Sequence, residues 1–252
     1  MASFVPFLSL SELKMPQFYK QCLAEALGTF IFVFTGVGTV QNIKAANVPG
    51  QQGAGPVTVA IGFGTGIATA LFVVDGHLNP AITLAKLATR RITALRAVLY
   101  VLCQLSGSIL ASSVVYVGTP DGLRGSLGST TPGPGFSTSE TFVLEMFGTF
   151  VLALAVWATK SPSRAPFTVG VAVTGLHAVL ASTTGAGINP ARSFGPAVVT
   201  DTWDDHWIYW VAPIVGASVG AVAYEFSSYC NDNIVGNEGR VADVTLDTIV
   251  EN

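Results

Sequence analysis

The sequence has little charge. Only 11% of its 252 residues are Asp, Glu, Lys or Arg, while half are hydrophobic and the mean hydropathy is +0.56. So few charges cannot solvate the surface of a soluble protein of this size. The sequence also lacks a basic stripe, so we expect no nucleic-acid partner. Several apolar runs approach the ~20 residues that cross a bilayer core, which predicts a helical protein embedded in a lipid bilayer.

Cysteine and histidine are also scarce, with three of each. Cys22, Cys103 and Cys230 are odd in number and widely spaced, which predicts neither a disulfide framework nor a metal site. We interpret them as small buried side chains. An enzyme would need a nucleophile and base or a set of metal ligands, and the sequence offers neither. We therefore expect no enzymatic activity, no cofactor and no metal.

Six apolar stretches are long enough to form membrane spans. They cover residues 22–40, 57–74, 94–117, 141–158, 167–181 and 207–226. Residues 1–20 form an N-terminal arm that we expect to be loosely ordered, with a place on the membrane surface or in a pore mouth as alternatives. Residues 231–252 carry five acidic residues and one Arg, which predicts a solvated, mobile tail. The membrane domain is therefore expected at residues 21–230.

Two short segments outside these spans share one pattern. Residues 77–83 read HLNPAIT and residues 187–197 read GINPARSFGPA. Asn is a good helix N-cap and Pro suits the first helical turn, so each segment predicts a sharp helix start with a positively polarised end. Ten residues from Asn79 reach about 15 Å, half the bilayer core. Such a helix enters the membrane but cannot cross it.

The two halves of the chain repeat each other. Residues 24–30, AEALGTF, match residues 144–150, LEMFGTF. Each half, at about residues 21–117 and 140–228, holds three spans, so the second copy must insert upside down. Broken helices at the interface of such repeats place a site near the bilayer midplane. The predicted fold is an all-α membrane protein with six transmembrane helices and two re-entrant half-helices in an inverted repeat.

On these motifs, and over about residues 20–228, the sequence resembles the aquaporins, the major intrinsic protein family. Both of that family's Asn-Pro-Ala signature loops are intact. The resemblance implies a passive, water-selective channel that follows osmotic gradients and excludes ions and protons, with residues 21–230 as the channel domain. It also implies a homotetramer with water as the permeant. The alternative is a facilitator that also passes small neutral solutes such as hydrogen peroxide, ammonia or glycerol.

The resemblance assigns the centre of the pore to the two motifs, namely Asn79, Pro80, Ala81, Asn189, Pro190 and Ala191. We expect each Asn to cap its half-helix through the carboxamide oxygen and to leave the nitrogen free for the permeant. The two half-helices meet with their positive ends together. This arrangement repels cations at the midpoint, as is established for aquaporin-type pores.

A selectivity filter is implied at Phe63, His177, Ala186 and Arg192. Arg192 lies at membrane depth, where a charge needs water or a partner, and is expected to donate into the pore and to bar cations. His177 narrows the filter and Ala186 contributes a backbone carbonyl. Some family members have Cys at this last position and are blocked by mercurials, so no mercurial block from Ala186 is expected. The link to the first motif is shorter than usual, and Phe72 remains the alternative to Phe63.

Two acidic residues lie inside apolar spans. Glu25 and Glu145 occupy equivalent positions of the repeat, and the resemblance implies that they and His77 support the backbone of the re-entrant loops. Four further positions fit the water-selective branch of the family: Ser193, Ala197, Tyr209 and Trp210. A proton-coupled transporter that uses the two glutamates, or a purely adhesive protein, remains open.

The distribution of Lys and Arg predicts the orientation. One side holds eight of them, Lys14, Lys20, Arg90, Arg91, Arg96, Lys160, Arg164 and Arg240. The other side holds Lys44 and Arg124. Because cytoplasmic loops carry an excess of positive charge, both termini are predicted to be cytoplasmic. The plasma membrane is the expected location, since no retrieval signal is visible.

Overall fold

The computed structural model describes residues 5–46, 55–159 and 161–250, with side chains over residues 5–42, 55–159 and 161–230. Within these ranges the chain is helical and forms no β-strand. Three residues used to predict the orientation fall outside the described side chains, namely Lys44, Lys160 and Arg240.

Six long helices and two half-helices build the membrane domain. The long ones are α1 (Pro16–Ala46), α2 (Pro56–Val73), α4 (Ala94–Gly118), α6 (Thr138–Ala158), α7 (Ala165–Leu180) and α9 (Ile208–Val250). The half-helices are α3 (Pro80–Ala88) and α8 (Pro190–Thr200), and a short turn of helix, α5, covers Asp121–Arg124. The helix pairs with the most extensive contacts are α6 with α9, α2 with α7 and α1 with α4.

Five of the long helices are apolar and long enough to cross a membrane by length and composition. The sixth, α7, has 16 residues, which extend about 24 Å. Its span is short because a 3-10 turn at Pro162–Arg164 precedes it and turns at residues 181–184 follow it. The fold is the six-span helical bundle with two re-entrant half-helices that the sequence predicts.

The ends of the outer helices differ from the predicted spans. Helix α1 begins at Pro16, where proline suits the first turn, so residues 16–20 of the expected arm are helical. Helix α9 continues to Val250 through residues 231–250, where the sequence predicts a mobile tail. The apolar part of α9, which ends at Cys230, is the part suited to the membrane.

The described part of the N-terminal arm, from Val5 onward, is bound to the rest of the chain rather than loosely ordered. The Val5 amide donates to the Arg90 carbonyl at 3.2 Å, and the Ala94 amide donates to the Phe7 carbonyl at 2.7 Å. The arm then forms a 3-10 turn that carries Glu12, whose carboxylate accepts from Arg96 Nη2 at 2.6 Å and also from the Thr93 hydroxyl. These bonds fasten the arm to the connection between α3 and α4.

The two halves pack in the same way. A Cβ on Gly107 of α4 would collide with the Ala26 carbonyl oxygen of α1, and a Cβ on Gly216 of α9 would collide with the Met146 carbonyl oxygen of α6. Ala26 and Met146 are equivalent positions of the sequence repeat. The first and third helices of each half therefore approach to backbone contact, which draws the bundle tightly around its centre.

Candidate functional site

The two Asn-Pro-Ala motifs start the half-helices. Asn79 caps α3 with its side-chain oxygen, which accepts from the Ala81 amide at 2.9 Å. Asn189 caps α8 in the same way and accepts from the Ala191 amide at 3.0 Å. Both asparagines have extended backbone, and proline follows each at the first helical position. The local chemistry of Asn-Pro therefore fixes both helix starts.

The asparagine nitrogens cross between the two halves. Asn79 Nδ2 donates to the Ile188 carbonyl at 3.0 Å, and Asn189 Nδ2 donates to the Leu78 carbonyl at 2.8 Å. The expectation that both nitrogens are free for the permeant is therefore wrong in part. A carboxamide carries two N–H groups, so each crossing bond leaves one N–H for another acceptor.

Each motif follows a strained turn. Leu78 and Ile188, which immediately precede the asparagines, have φ of 55° and 44° in the left-handed region, where branched side chains are costly. Ala186 also has a positive φ, of 52°. These conformations persist because the surrounding side chains hold the backbone, and two buried carboxylates supply most of that support.

Glu25 holds the first loop. Its carboxylate accepts from the His77 amide at 2.7 Å and from the Leu78 amide at 2.8 Å. A third bond comes from Gln104 Nε2 at 2.8 Å. The side chain is fully buried, and three donors replace the water that its carboxylate would otherwise bind.

Glu145 holds the second loop with the same geometry. It accepts from the Gly187 amide at 2.8 Å and from the Ile188 amide at 2.6 Å. Its third donor is the Thr184 hydroxyl at 2.5 Å. The two repeats therefore use one device, a buried glutamate on the first helix of the half, to hold two consecutive amides before the asparagine.

His77 is linked to the first half-helix through Thr83. The ring Nδ1 lies 3.1 Å from the Thr83 hydroxyl, and the ring contacts Tyr100 edge-on at 5.3 Å. Gln104 Nε2 also donates to the Thr83 hydroxyl at 2.9 Å. Sequence analysis missed Gln104 and Thr184, although a buried amide in the apolar helix α4 was the signal available for the first.

A narrow cavity lies at the meeting point of the half-helices. Its volume is about 30 Å³, enough for about two water molecules. Both motif asparagines line it, and the rest of the wall is mainly aliphatic, with Ile67, Ile82, Leu152, Val156, Val169, Val173 and Ile188 among its residues. A wider cavity of about 320 Å³ shares Ile67, His77, Ile82, Val156 and Val169 with it. The asparagines and His77 therefore supply the polar groups of a mainly aliphatic cavity.

Arg192 is held in place by two backbone carbonyls. Its Nη1 donates to the Gly128 oxygen at 2.8 Å and its Nη2 donates to the Gly185 oxygen at 3.2 Å. The guanidinium carbon lies 4.6 Å from the centre of the Phe63 ring, a cation–π distance. The Nε atom is buried and has no hydrogen-bond partner among the described residues. The Nε–H group is thus left without an acceptor among these residues.

His177 shows the opposite polarity. Its Nδ1 lies 3.0 Å from the Val173 carbonyl, which can only accept, so Nδ1 carries the proton and Nε2 is an acceptor. Nε2 is buried and has no partner within the described ranges. Because the ring is fully buried, the neutral form is the one its surroundings accommodate.

Phe63 packs with His177 and Arg192 into one cluster, which we call the constriction. Its ring stacks on the ring of His177, with 4.3 Å between centroids and an angle of 19° between planes. It is fully buried, whereas Phe72 is 75% exposed and lies away from the cluster. The structure therefore brings Phe63, His177 and Arg192 together and leaves Phe72 outside.

The remaining predicted positions surround this cluster. Ala186 is buried, and its amide donates to the Thr184 hydroxyl at 3.1 Å. Ser193, Ala197 and Tyr209 are also buried, and the Tyr209 hydroxyl donates to the Thr184 carbonyl at 2.8 Å. Tyr209 thus supports the turn before the second motif rather than contacting the constriction.

His206 lies outside the spans, in the connection between α8 and α9. Its Nε2 accepts from Trp210 Nε1 at 3.2 Å, and its ring packs against Trp203 and Phe194. Burial lowers the pKa of His206, because the aromatic surroundings disfavour the charged ring. This histidine therefore favours the neutral state.

Comparison with known proteins places the whole arrangement in one family. Residues 12–224 match the major intrinsic protein family. Aquaporin-4 of Bos taurus is 36% identical over 225 residues, which cover 85% of this chain and 69% of that protein. Aquaporin-1 of Sus scrofa is 35% identical over an alignment of 258 positions, gaps included, which covers 94% of this chain and 94% of that protein.

A solved structure shares the fold. The aquaglyceroporin from Plasmodium falciparum superposes with a TM-score of 0.74 and 21% sequence identity, covering 82% of this chain and 95% of that one. At this identity the likeness concerns the fold alone. The match over 213 residues of the chain and the relatives near 35% identity decide the family. The chain is an integral, multi-pass membrane channel that belongs to the major intrinsic protein family, the aquaporins.

Proposed function

We propose that the chain is a passive channel selective for water, which moves along osmotic gradients and is accompanied by neither ions nor protons. The observation that carries the proposal is the pair of unsatisfied buried atoms at the constriction, Arg192 Nε and His177 Nε2. One is a donor and the other an acceptor. A water molecule can accept from the first and donate to the second, which replaces part of its hydration at the narrowest point.

The close packing of the constriction also supports selectivity for water. Phe63 stacks on His177 and lies under Arg192, so two aromatic rings and a fixed guanidinium pack closely together. The neighbouring cavity holds only about two waters. A molecule of glycerol's size would have to displace these rings, which are buried and closely packed. Size therefore disfavours glycerol, whereas hydrogen peroxide is close to water in size and remains an alternative permeant.

Charge supports the exclusion of cations. Arg192 places a positive group in the constriction, and α3 and α8 direct their positive ends toward the asparagines. A cation in the passage would face both. The one N–H left on each asparagine can donate to a water oxygen at the midpoint, which turns the hydrogens of that water away from the centre on both sides.

Substitutions at the constriction test this proposal. We expect His177→Gly to admit glycerol, because the substitution removes a ring from the wall, while water permeability stays within about threefold. We expect Arg192→Val to admit protons or small cations. Both variants are reconstituted in liposomes, with stopped-flow light scattering for water and glycerol and a pH-sensitive dye for protons. Phe72→Ala is the matched control, since that side chain lies on the exposed surface.

Two results would contradict the proposal. One is glycerol flux through the unmodified protein comparable to its water flux. The other is unchanged solute and proton exclusion in both constriction variants, which would mean that these residues do not form the filter.

We further propose that both termini are cytoplasmic, that the protein resides in the plasma membrane and that it forms a homotetramer without enzymatic activity. The excess of Lys and Arg on one side supports the orientation. Exposed apolar side chains on α2 and α7, such as Ile61 and Val171, supply faces for lipid or neighbouring subunits. Native mass spectrometry in detergent tests the tetramer. The expected species has four times the mass of the chain, and a monomer as the only species would contradict the proposal.

A further inference from the structure

Two cysteines that the pore does not use face each other across the contact between α1 and α4. Cys22 and Cys103 are both free and partly exposed. Their side chains are neighbours, in agreement with the hydrogen bonds that join α1 to α4 on either side of them. The third cysteine, Cys230, lies on α9, at the end of the apolar part of that helix. The interpretation of all three as small buried side chains is wrong in part, because each is partly exposed and the fold brings two of them together.

Hydrogen bonds on both sides fix the register of this thiol pair. On one side, Tyr100 Oη donates to Gln21 Oε1 at 3.2 Å. On the other, Gln104 Nε2 donates to Glu25 Oε2 at 2.8 Å. Each bond joins α1 to α4, so the two helices cannot rotate apart at this level. The thiol pair therefore lies between two polar contacts that hold α1 against α4.

The polar groups near the thiol pair are already engaged. Glu25 accepts three hydrogen bonds, from the His77 and Leu78 amides and from Gln104. Arg96 is paired with Glu12 through two hydrogen bonds. Among these residues only Gln104 Oε1 is left without a partner, so a bound group would find two sulfur ligands and one carboxamide oxygen. Zinc, which takes four ligands in structural sites, is poorly suited to such a pair.

Charge narrows the class of ligand further. Cys22 and Cys103 lie in two apolar helices that can cross a membrane. A reaction product with net charge would be costly there. A group that binds two thiols at once and leaves a neutral product avoids this cost. We propose that Cys22 and Cys103 form a paired-thiol site for such a thiophilic centre, represented by monosubstituted trivalent arsenic.

The reaction with phenylarsine oxide balances without a change of oxidation state. Two As–S bonds form, and the oxide oxygen leaves as water together with the two thiol protons. The product ties α1 to α4 beside Glu25 and Gln104, the residues that hold the first pore loop. This site is separate from the constriction, where Ala186 offers no thiol.

Intact mass spectrometry of the full-length protein in detergent, treated with phenylarsine oxide, tests the proposal. We expect one phenylarsenic group per chain that survives washing with a monothiol and is removed by 2,3-dimercaptopropanol. Cys22→Ser and Cys103→Ser should each lower the apparent affinity at least tenfold, because a single thiol cannot bridge. Cys230→Ser is the matched control and should bind as the unmodified protein does.

The outcomes decide the matter. Retention of the dithiol-reversible adduct in either single variant would overturn the proposal, as would its loss in Cys230→Ser or its absence from the unmodified protein. Cys22→Ala and Cys103→Ala repeat the measurement with a different side chain, and unchanged water flux in proteoliposomes shows that the variants are folded. The result is independent of the permeant, so it stands or fails separately from water selectivity.

Discussion

At the scale of single residues, the two motif asparagines each serve three purposes. The oxygen of Asn79 caps its own half-helix, one N–H bonds the Ile188 carbonyl of the other half, and the second N–H remains. The cap was predictable, because Asn-Pro chemistry is local. The crossing bond was not, since its partner lies 109 residues away in the sequence.

At the constriction, too, some features were predictable from the sequence and others were not. The resemblance to the family assigned His177 and Arg192 to the filter but left Phe63 and Phe72 as alternatives. Both phenylalanines lie on α2, and only the contact between α2 and α7 decides which one meets His177. The carbonyls of Gly128 and Gly185, which hold Arg192, carry no side-chain signal in the sequence at all.

The buried glutamates lead to a prediction about stability. Glu145→Gln should lower the free energy of unfolding by about 2 kcal/mol, because one end of the amide would present N–H groups to a backbone N–H donor. The three donors at stake are the Thr184 hydroxyl and the Gly187 and Ile188 amides. Thermal unfolding of the purified protein, followed by tryptophan fluorescence, measures the effect.

Glu140→Gln is the matched control on the same helix. Glu140 is exposed and caps the start of α6 with Ser137, so its substitution should lower the free energy of unfolding far less than Glu145→Gln does. Equal destabilisation by the two substitutions would contradict the role given to Glu145.

His206 predicts a dependence of stability on pH. Its folded-state pKa is lowered by burial, so its contribution is fully present above the unfolded value, about 6.5, and is lost as the pH falls from there through the folded value. The loss from one such proton cannot exceed about 1.4 kcal/mol per pH unit. His206→Gln keeps an acceptor for Trp210 and should lose less stability than the unmodified protein between pH 7 and pH 5. Parallel pH profiles in thermal unfolding would rule this out.

At the scale of whole elements, length and polarity predicted the helices, but tertiary contacts set their ends. The N-terminal arm carries no sequence pattern that predicts a fixed position, yet Glu12 contacts Arg96 and Thr93 at the start of α4. These partners are more than 80 residues away. Helix α7 is only 16 residues long because the loop before the second motif begins early.

The close approach of α1 and α2 predicts a difference between two neighbouring glycines of α1. A Cβ on Gly36 would overlap the Phe63 ring, whereas a Cβ on Gly38 would meet no atom within 4 Å. Gly36→Ala should push Phe63 toward His177, reduce water permeability several-fold and cost about 1–3 kcal/mol of stability.

Gly38→Ala, two residues away on the same helix, is the control. It should leave permeability unchanged and stabilise the helix by up to about 1 kcal/mol. Stopped-flow permeability and thermal unfolding of both variants check this, and equal effects would show that contact with Phe63 is not what matters at position 36.

At the scale of the whole molecule, counting spans was enough to predict the inverted repeat. An odd number of spans in each half requires the second half to insert in the opposite sense. The two halves are nevertheless not identical in detail. Gln104 on the third helix completes the first glutamate site, while Thr184 in the preceding turn completes the second. Such differences between the halves arise from side-chain packing, which the repeat in sequence does not encode.

The most direct test of the central claim is stopped-flow light scattering on proteoliposomes that contain the unmodified protein, with empty liposomes as the control. The account predicts rapid shrinkage under an impermeant osmolyte, with a low activation energy, and no re-swelling under a glycerol gradient beyond that of the control. Rapid re-swelling in glycerol would contradict the assignment of Phe63, His177 and Arg192 as a filter for water.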